Sequence, residues 1–433
     1  MRRVLILAYF YPPLAGGGVH RVLSFTRHLP AHGWACTVVC AGERDYWVSD
    51  DSLVAAVPGE TEVIRVEGGS GLSTWLKLKR GDAQGRRSSR SFGPLRSLAD
   101  WWLLPDSYAG WAKRARATVE DRIARGGIDV LLSSSPPDSV HLAAADVALG
   151  TRVPWVADFR DPWIGLNFRK PPTPWHTARQ RAMEARVLSH ANLVLAASRT
   201  HAEQLAARAD ARPRAVLHLP NGFEPAAPHP ASPGPRAADG RDQFRVVFTG
   251  SLSLMDDLAT LIDAVAVLLE RDPGARALLR VELLGPYDRE WEERASARGL
   301  DGVVHFAGVR AHAEARRAQR SADLLLLWRP HGEGYRTMVP GKTYEYLASG
   351  RPVLALLPER DEAAELVRRA GGEVIAPGAA AALEGALTAR LARWRTGGRA
   401  PDAVPSWLGV HTREHLASQL ATALDGVVAG ARA

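Results

Sequence analysis

One stretch decides the fold: Val339-Pro-Gly-Lys-Thr-Tyr-Glu-Tyr-Leu-Ala-Ser-Gly-Arg-Pro-Val-Leu354. Pro340 suits the first turn of a helix, where its missing N–H would have had no partner. Gly350 suits the end of that helix, and Pro352 prevents its continuation. The apolar run that begins at Val353 is typical of a buried strand in a parallel sheet. The stretch therefore predicts a short helix, a glycine stop and a strand.

The chemistry of this helix is concentrated near its start. A helix that follows a strand and a loop points its N–H groups and positive dipole end into a cleft, which suits phosphate oxygens. Lys342 lies in the first turn, where the dipole disfavours a cation, so we interpret it as facing an anion. Glu345, one turn on, could accept two hydrogen bonds from a ribose diol. An alternative fits the spacing equally well, namely a surface helix with a Lys342–Glu345 contact at i, i+3.

The spacing of Glu345 and the Gly-Arg-Pro-Val strand at residues 350–353 resembles the nucleotide-sugar motif of family 4 glycosyltransferases, which have the two-domain GT-B fold. In that family the glutamate binds the donor ribose, so the resemblance implies this role for Glu345. Lys342 and Thr343 are then further donor-binding candidates on the same helix. The family usually carries a second glutamate eight residues upstream, near the transferred sugar, where this chain has Thr337. The resemblance therefore implies the nucleotide contact and leaves the sugar contact open.

The composition is that of a globular protein with two domains. The chain has 433 residues, of which 46% are apolar and 24% charged. Its two cysteines, Cys36 and Cys40, fall in one predicted strand and form no disulfide framework, which favours a reducing cytosol. No apolar run approaches the roughly 20 residues that span a bilayer. The net charge of +8 indicates anionic partners such as a nucleotide, a phospholipid surface or nucleic acid.

The chain begins with a strand and a glycine-rich loop. Residues 4–8 are apolar, and Gly16, Gly17 and Gly18 follow in a loop that opens a helix. Glycines let backbone amides approach an anion closely, so this arrangement can cradle phosphate. The glycine pattern is not the GxGxxG dinucleotide fingerprint. In addition, no acidic residue lies at the right distance to bind a ribose. The segment resembles the N-terminal donor loop of family 4 enzymes, which implies that Gly16–Gly18 bind the donor.

A basic, irregular segment interrupts the first half of the chain. Residues 75–98 contain seven Lys or Arg and one Asp, and apolar anchors such as Trp75, Phe92 and Trp101 are interleaved with the charges up to residue 104. This composition is typical of a segment that lies on an anionic membrane surface, and a solvated loop is the equal alternative. No nucleic acid partner is expected, because no recognised binding module accompanies the segment.

The stretch Trp155–Trp163 is a predicted strand that ends in a polar cluster. Asp158, Arg160 and Asp161 stand at its C-terminal end, where open α/β sheets bind their ligands. The alternative is a local Asp–Arg pair that caps the next segment. The Ser-Ser-Pro-Pro and Asp-Phe-Arg-Asp-Pro-Trp motifs resemble a bacterial subset of family 4. Many members carry a histidine where this chain has Ser134. We predict that Asp158, with Arg160 and Asp161, forms the catalytic, acceptor-orienting group.

The second half departs from the family pattern after Gly250, a candidate donor-binding glycine. Family members typically carry an arginine there and a lysine about five residues on, both for the donor diphosphate, and this chain has neither. Cations beside a diphosphate in a dry cleft contribute several kcal/mol. Lys342 is the first candidate to replace them, followed by Arg329 and Arg336, which lie in a glycine-containing loop that could close over a ligand.

Strand–helix alternation recurs in both halves of the chain. We therefore predict an α/β protein of GT-B type, with two doubly wound Rossmann-like domains facing a cleft. The predicted boundaries are 1–222 for an acceptor-binding domain with the basic insertion at 68–106, 223–243 for a linker, 244–405 for a nucleotide-sugar-binding domain, and 406–433 for a C-terminal helix that crosses back onto the first domain.

The resemblance covers nearly the whole chain and implies a retaining glycosyltransferase that needs no metal or other cofactor. The expected partners are a nucleotide sugar and an acceptor glycan, lipid-linked sugar or small molecule. Surface polysaccharide or glycolipid assembly is the expected setting, in the cytoplasm or on the inner face of the plasma membrane. The alternatives are a sugar-nucleotide epimerase of the same fold, a natural-product glycosyltransferase and a degenerate partner subunit without turnover.

Overall fold

The computed structural model describes residues 1–14, 17–42, 50–68, 86–87, 103–166, 171–208, 210–211, 213–225, 242–252, 257–330, 332–398 and 404–432. Within these residues the chain forms two large parallel β-sheets flanked by helices. This architecture confirms the predicted pair of doubly wound α/β domains. Most of the basic segment at 75–104 and most of the linker at 223–243 lie outside the described residues.

Among the described residues, the first half contains eight strands: β1 Arg2–Ala8, β2 Trp34–Ala41, β3 Glu62–Val66, β4 Arg86–Arg87, β5 Val130–Ser135, β6 Trp155–Phe159, β7 Leu193–Ala196 and β8 Val216–His218. Seven of them form one parallel sheet in the order β3-β2-β1-β5-β6-β7-β8. The helices of this half are α1 Val19–His28, α2 Ala109–Ala124, α3 Ser139–Thr151, α4 Pro174–His190 and α5 Arg199–Ala206.

In the described part of the second half there are seven strands: β9 Phe244–Thr249, β10 Leu279–Leu284, β11 Tyr287–Asp288, β12 Val304–Gly308, β13 Leu324–Trp328, β14 Val353–Leu356 and β15 Glu373–Ile375. Six form a parallel sheet in the order β12-β10-β9-β13-β14-β15, and β11 pairs with β4. The helices are α6 Asp257–Arg271, α7 Arg289–Ala297, α8 His312–Arg320, α9 Gly341–Ala348, α10 Glu362–Arg369, α11 Ala380–Arg395 and α12 Arg413–Arg432.

Short 3₁₀ segments complete the described structure: Leu29–His32, Asp51–Ala56, Pro273–Ala277, Glu333–Thr337 and Ser406–His411. Strands β13 and β14 are apolar along their whole length and entirely buried, because helices cover both faces of a parallel sheet. None of the helices in the described residues is both long and apolar enough to cross a membrane.

The stretch at 339–354 folds as a helix, a glycine stop and a strand. Helix α9 begins at Gly341, with Pro340 as the residue before its first turn rather than within it. Gly350 has a φ of 73°, a left-handed conformation that favours glycine. Strand β14 follows between β13 and β15. The start of α9 therefore lies at the carboxyl edge of the second sheet, between the end of β13 and the start of β14.

The C-terminal helix α12 packs on the first domain. Leu416, Leu420 and Leu424 join the buried cluster that contains Val4 of β1 and Val22 of α1. This apolar face anchors the end of the chain to the first sheet, although the preceding residues belong to the second domain. The chain therefore crosses the domain boundary twice, at residues 222–224 and again at 411–413.

Candidate active site

Lys342 lies at the carboxyl end of strand β9, in the first turn of α9. Its Nζ is 3.7 Å from the centroid of the Phe248 ring, which stacks on Trp328 at 4.1 Å. The backbone of Gly250, with a φ of 133°, lies beside the ammonium, and a Cβ at this glycine would fall 2.9 Å from Nζ. Burial lowers the pKa of Lys342 to about 7, against the opposing effect of Glu345. This lysine is therefore a half-buried cation at a strand end that neighbours a glycine.

Thr343 adds a second polar group beside Lys342. Its side chain is fully buried, and its Oγ1 has no hydrogen-bond partner among the described residues. Buried hydroxyls are normally hydrogen-bonded, so an unsatisfied one needs an explanation. The first turn of α9 thus presents an ammonium and a hydroxyl at a helix N-terminus, which is the arrangement that binds phosphate oxygens.

Glu345 lies at the boundary between the two domains. Its Oε1 is 3.6 Å from Nε2 of His312 in α8 and 3.7 Å from Nη2 of Arg413 in α12. The ring of His312 packs at 4.2 Å between centroids against His20 of the first domain. Burial is the main cause that lowers the pKa of both histidines. Glu345 therefore faces the interdomain cleft and not the outer surface of the second domain.

The glycine-rich loop of the first domain approaches the Asp161 region. Gly16 lies outside the described residues, Gly17 borders open space, and a Cβ at Gly18 would fall 2.7 Å from Nη1 of Arg160. Arg160 in turn donates to Asp161 at 3.0 Å. The alternative of a local Asp–Arg pair is thus present in the structure. Arg160 and Asp161 lie beside the glycine loop at the cleft.

Asp158 is fully buried, and its carboxylate has partners other than this pair. Arg21 donates to both of its carboxylate oxygens, with 2.7 Å the shortest distance, and Ser134 donates to it at 2.7 Å. Arg21 also donates to the carbonyl of Pro220 at 3.0 Å. The three polar residues predicted as one catalytic set are therefore split by the structure. Asp158 is part of a saturated internal ion pair, and Asp161 is the carboxylate that solvent reaches.

The loop that carries Arg329 and Arg336 docks on the first domain. Arg329 forms a buried ion pair with Asp361, whose side chain also caps α10, so its guanidinium is directed to that helix. Arg336 is exposed. Thr337, which replaces the family's second glutamate, is buried, and its carbonyl accepts from Ser198 of the first domain at 2.5 Å. Of the three candidate cations, Lys342 is thus the one that is neither exposed nor in an ion pair among the described residues.

Sequence reasoning missed three polar residues near the domain boundary, namely Arg21, His312 and Arg413. Arg21 follows the glycine loop by three residues, so its position in the first turn of α1 was a usable signal. His312 and Arg413 stand in ordinary polar segments, and their contact with Glu345 joins three separate helices. No pattern in the sequence connects them.

Comparison with known proteins agrees with this geometry. Residues 16–222 match the family described as glycosyl transferase 4-like domain, and residues 243–393 match glycosyl transferases group 1. Together they cover most of the chain, which defines a GT-B glycosyltransferase. The chain belongs to the group 1 glycosyltransferases, with a family 4-like N-terminal domain. No curated protein matches it by sequence.

Solved structures of the same fold are distant in sequence. WaaG, a glycosyltransferase involved in lipopolysaccharide biosynthesis, is 17% identical with a TM-score of 0.61 over 98% of this chain and 100% of that one. Sucrose-phosphate synthase from Thermosynechococcus elongatus is 16% identical, with a TM-score of 0.55 over 99% and 97%. The N-terminal domain of Candida albicans trehalose-6-phosphate phosphatase is 11% identical, with 0.64 over 99% and 97%. At these identities the likeness shows the fold alone.

Proposed function

We propose that this protein is a retaining glycosyltransferase that moves a sugar from a nucleoside-diphosphate donor to an acceptor hydroxyl. The observation that supports it best is the half-buried ammonium of Lys342 over Phe248 and against Gly250, next to Thr343, whose hydroxyl has no partner among the described residues. A donor diphosphate at the start of α9 would supply the anion that this cation lacks. Retention of configuration follows from the family resemblance.

The proposed reaction needs charge neutralisation more than a protein base. The acceptor oxygen attacks the anomeric carbon from the face that the diphosphate leaves, the bond from that carbon to the diphosphate oxygen breaks, and the acceptor proton passes to the departing phosphate. The products are the glycoside and the nucleoside diphosphate. Lys342 and the dipole of α9 stabilise the negative charge on the leaving group, so we assign no metal to this step.

The donor ribose would meet Glu345, and the acceptor would lie on the first domain. Glu345 is held at the cleft by His312 and Arg413, where it can accept from a ribose diol. Asp161 and Arg160, beside Gly18, face the acceptor side. The acceptor-orienting role predicted for Asp158 would require it to release an Arg21 contact, so we assign that role to Asp161.

The acceptor is proposed to be a lipid-linked sugar or glycan on the inner face of the plasma membrane, in polysaccharide or glycolipid assembly. The net charge of +8 and the basic, aromatic composition of residues 75–104 support attraction to anionic lipid. Deletion of residues 77–96 is expected to abolish co-sedimentation with anionic vesicles and to leave nucleotide binding unchanged. Unchanged sedimentation would assign the segment to an ordinary loop and favour a soluble acceptor.

Acceptor-dependent release of the nucleoside diphosphate tests the activity. UDP- and GDP-sugars are screened first by thermal shift, and the stabilising donor is then incubated with and without lipid-linked acceptors. Release of UDP or GDP only with an acceptor supports transfer. Conversion of the sugar nucleotide without any acceptor would favour an epimerase, and the absence of binding to UDP, GDP or dTDP would favour a partner subunit without turnover.

A further inference from the structure

Arg413 occupies the point where the chain crosses back from the second domain to the first. Its N–H donates to the carbonyl of Phe223 at 2.9 Å, and the N–H of Phe223 donates to the carbonyl of His411 at 3.1 Å. Leu416, one turn later, belongs to the buried cluster of the first domain. The backbone of Arg413 is therefore fixed between the two crossing segments.

The two crossing segments approach so closely that only glycine fits at position 222. Gly222 has a φ of 64°, and a Cβ there would lie 2.5 Å from the carbonyl oxygen of His411 and 2.5 Å from Cδ1 of Leu416. A side chain at this position would push the two segments apart. The close packing of the two backbone segments thus determines the position of the Cα atom of Arg413.

The guanidinium of Arg413 lies between two carboxylates from different parts of the chain. Its Nη1 is 3.9 Å from Oε1 of Glu224, at the end of the first domain, and its Nη2 is 3.7 Å from Oε1 of Glu345. Only 10% of the side chain is exposed. Burial lowers the pKa of Arg413, and the two carboxylates oppose this effect. A buried guanidinium stays charged in such a place because it is paired.

Among the described residues, His312 is the other group that faces Glu345 with an ion-pair distance. Because burial lowers the pKa of His312, its ring is mainly neutral at neutral pH. His20 lies behind His312 and is not charged either. Lys342, three residues earlier on the same helix, also attracts Glu345, but Arg413 is the permanently charged group at an ion-pair distance from Glu345 among the described residues.

We infer that Arg413 is a positioning residue for the donor site, which holds Glu345 in the orientation that accepts from the ribose diol. The inference rests on the proposed function and adds a structural condition to it. The ribose site is complete only when the C-terminal segment has crossed back onto the first domain, because the residue that orients Glu345 is carried by that crossing.

Discrimination between ribose and deoxyribose tests this role. The affinities of UDP and 2′-deoxy-UDP, and of GDP and 2′-deoxy-GDP, are measured by calorimetry for the wild type and for Arg413→Met. A carboxylate that binds the 2′-hydroxyl contributes a preference on the order of tenfold for the ribose form. We expect this preference to fall to about twofold in Arg413→Met, with affinity for the deoxy form nearly unchanged.

Two further variants make the result specific. Arg27→Met removes another arginine that pairs with Glu224, at 3.5 Å, but has no contact with Glu345, so the ribose preference should stay at the wild-type value. Arg413→Lys keeps one cation and should retain an intermediate preference, which also covers the case in which Arg413→Met fails to fold. A wild-type preference in both Arg413 variants, or an equal loss in Arg27→Met, would overturn the inference. Failure of the wild type to bind UDP or GDP would instead overturn the proposed function.

Discussion

The charged side chains at the carboxyl ends of the two sheets differ in whether the protein itself supplies their partners. In the first domain Asp158 receives hydrogen bonds from Arg21 and Ser134, and the cluster is saturated within the protein. In the second domain Lys342 rests on an aromatic ring, and Thr343 beside it has a hydroxyl without a partner among the described residues. An ion pair within the protein stabilises the fold, whereas a cation without an ion pair can bind an anionic ligand.

The largest effect is expected where the saturated cluster is broken. Arg21→Met leaves the Asp158 carboxylate buried with only the Ser134 hydroxyl, so the free energy of unfolding should fall by about 3–5 kcal/mol. Urea unfolding followed by circular dichroism measures this change. The double variant Arg21→Met, Asp158→Leu should recover most of the loss, because no charge is then left unpaired. A loss below about 1 kcal/mol in the single variant would show that the cluster is not structural.

The opposite behaviour is expected at Lys342. Lys342→Met removes a half-buried cation that has no ion pair among the described residues, so thermal stability should be unchanged or higher. Affinity for UDP or GDP should fall on the order of 100-fold, since the ammonium contact with the diphosphate is lost, while affinity for the free nucleoside stays within about twofold. Lys113→Met, an exposed lysine on α2, is the matched control and should change neither affinity.

Closure of the loop at 329–339 onto the first domain can be tested at one glycine. A Cβ at Gly334 would fall 1.8 Å from the carbonyl oxygen of Gly165. Because this oxygen belongs to the backbone, it cannot move aside as the end of a flexible side chain could. Gly334→Ala should therefore separate the loop from the first domain and lower kcat by about tenfold, with donor affinity changed less. Gly409→Ala, where a Cβ meets nothing within 4 Å, should leave kcat unchanged. Equal kcat values in the two variants would show that the docking of this loop does not contribute to the reaction.

The smallest expected effect is the pH dependence of donor binding. The pKa of Lys342 is lowered to about 7, so this side chain is charged below that pH and neutral above it. Affinity for UDP or GDP should therefore fall about tenfold between about pH 6 and about pH 8. The lysine-dependent part of this slope should vanish in Lys342→Met. An affinity that rises with pH in the wild type would contradict the assignment.

The local order of elements could be predicted from the sequence, and the partners of buried charges could not. Gly350, Pro352 and the apolar run after them are signals within one stretch, so helix α9 and strand β14 could be placed. The partner of Asp158 is Arg21, which lies 137 residues away and shows no pattern that links the two. The sequence likewise does not reveal that Arg329 pairs with Asp361, because that contact depends on tertiary packing. Arg329 is therefore a candidate for the diphosphate in the sequence although its charge is already paired in the structure.

The sequence could indicate the donor-binding residues of one helix, and it could not indicate which residue of another helix contacts them. Lys342 and Glu345 were assigned to a cleft by spacing and resemblance, and the structure places both at the carboxyl edge of the second sheet or at the domain boundary. The crossing of the C-terminal helix onto the first domain is part of the prediction, but the contact between Arg413 and Glu345 could not be foreseen, because a helix pattern does not reveal which side chain reaches the cleft.

Proton uptake on nucleotide binding is the most direct test of the central claim, that the ammonium of Lys342 binds the donor diphosphate. At about pH 8 most of the Lys342 side chains of the free protein are neutral, and binding of the diphosphate must charge them. Calorimetry of UDP or GDP in two buffers with different ionisation enthalpies should show that the wild type takes up about 0.9 proton more than Lys342→Met. Equal uptake by the two proteins would contradict the claim.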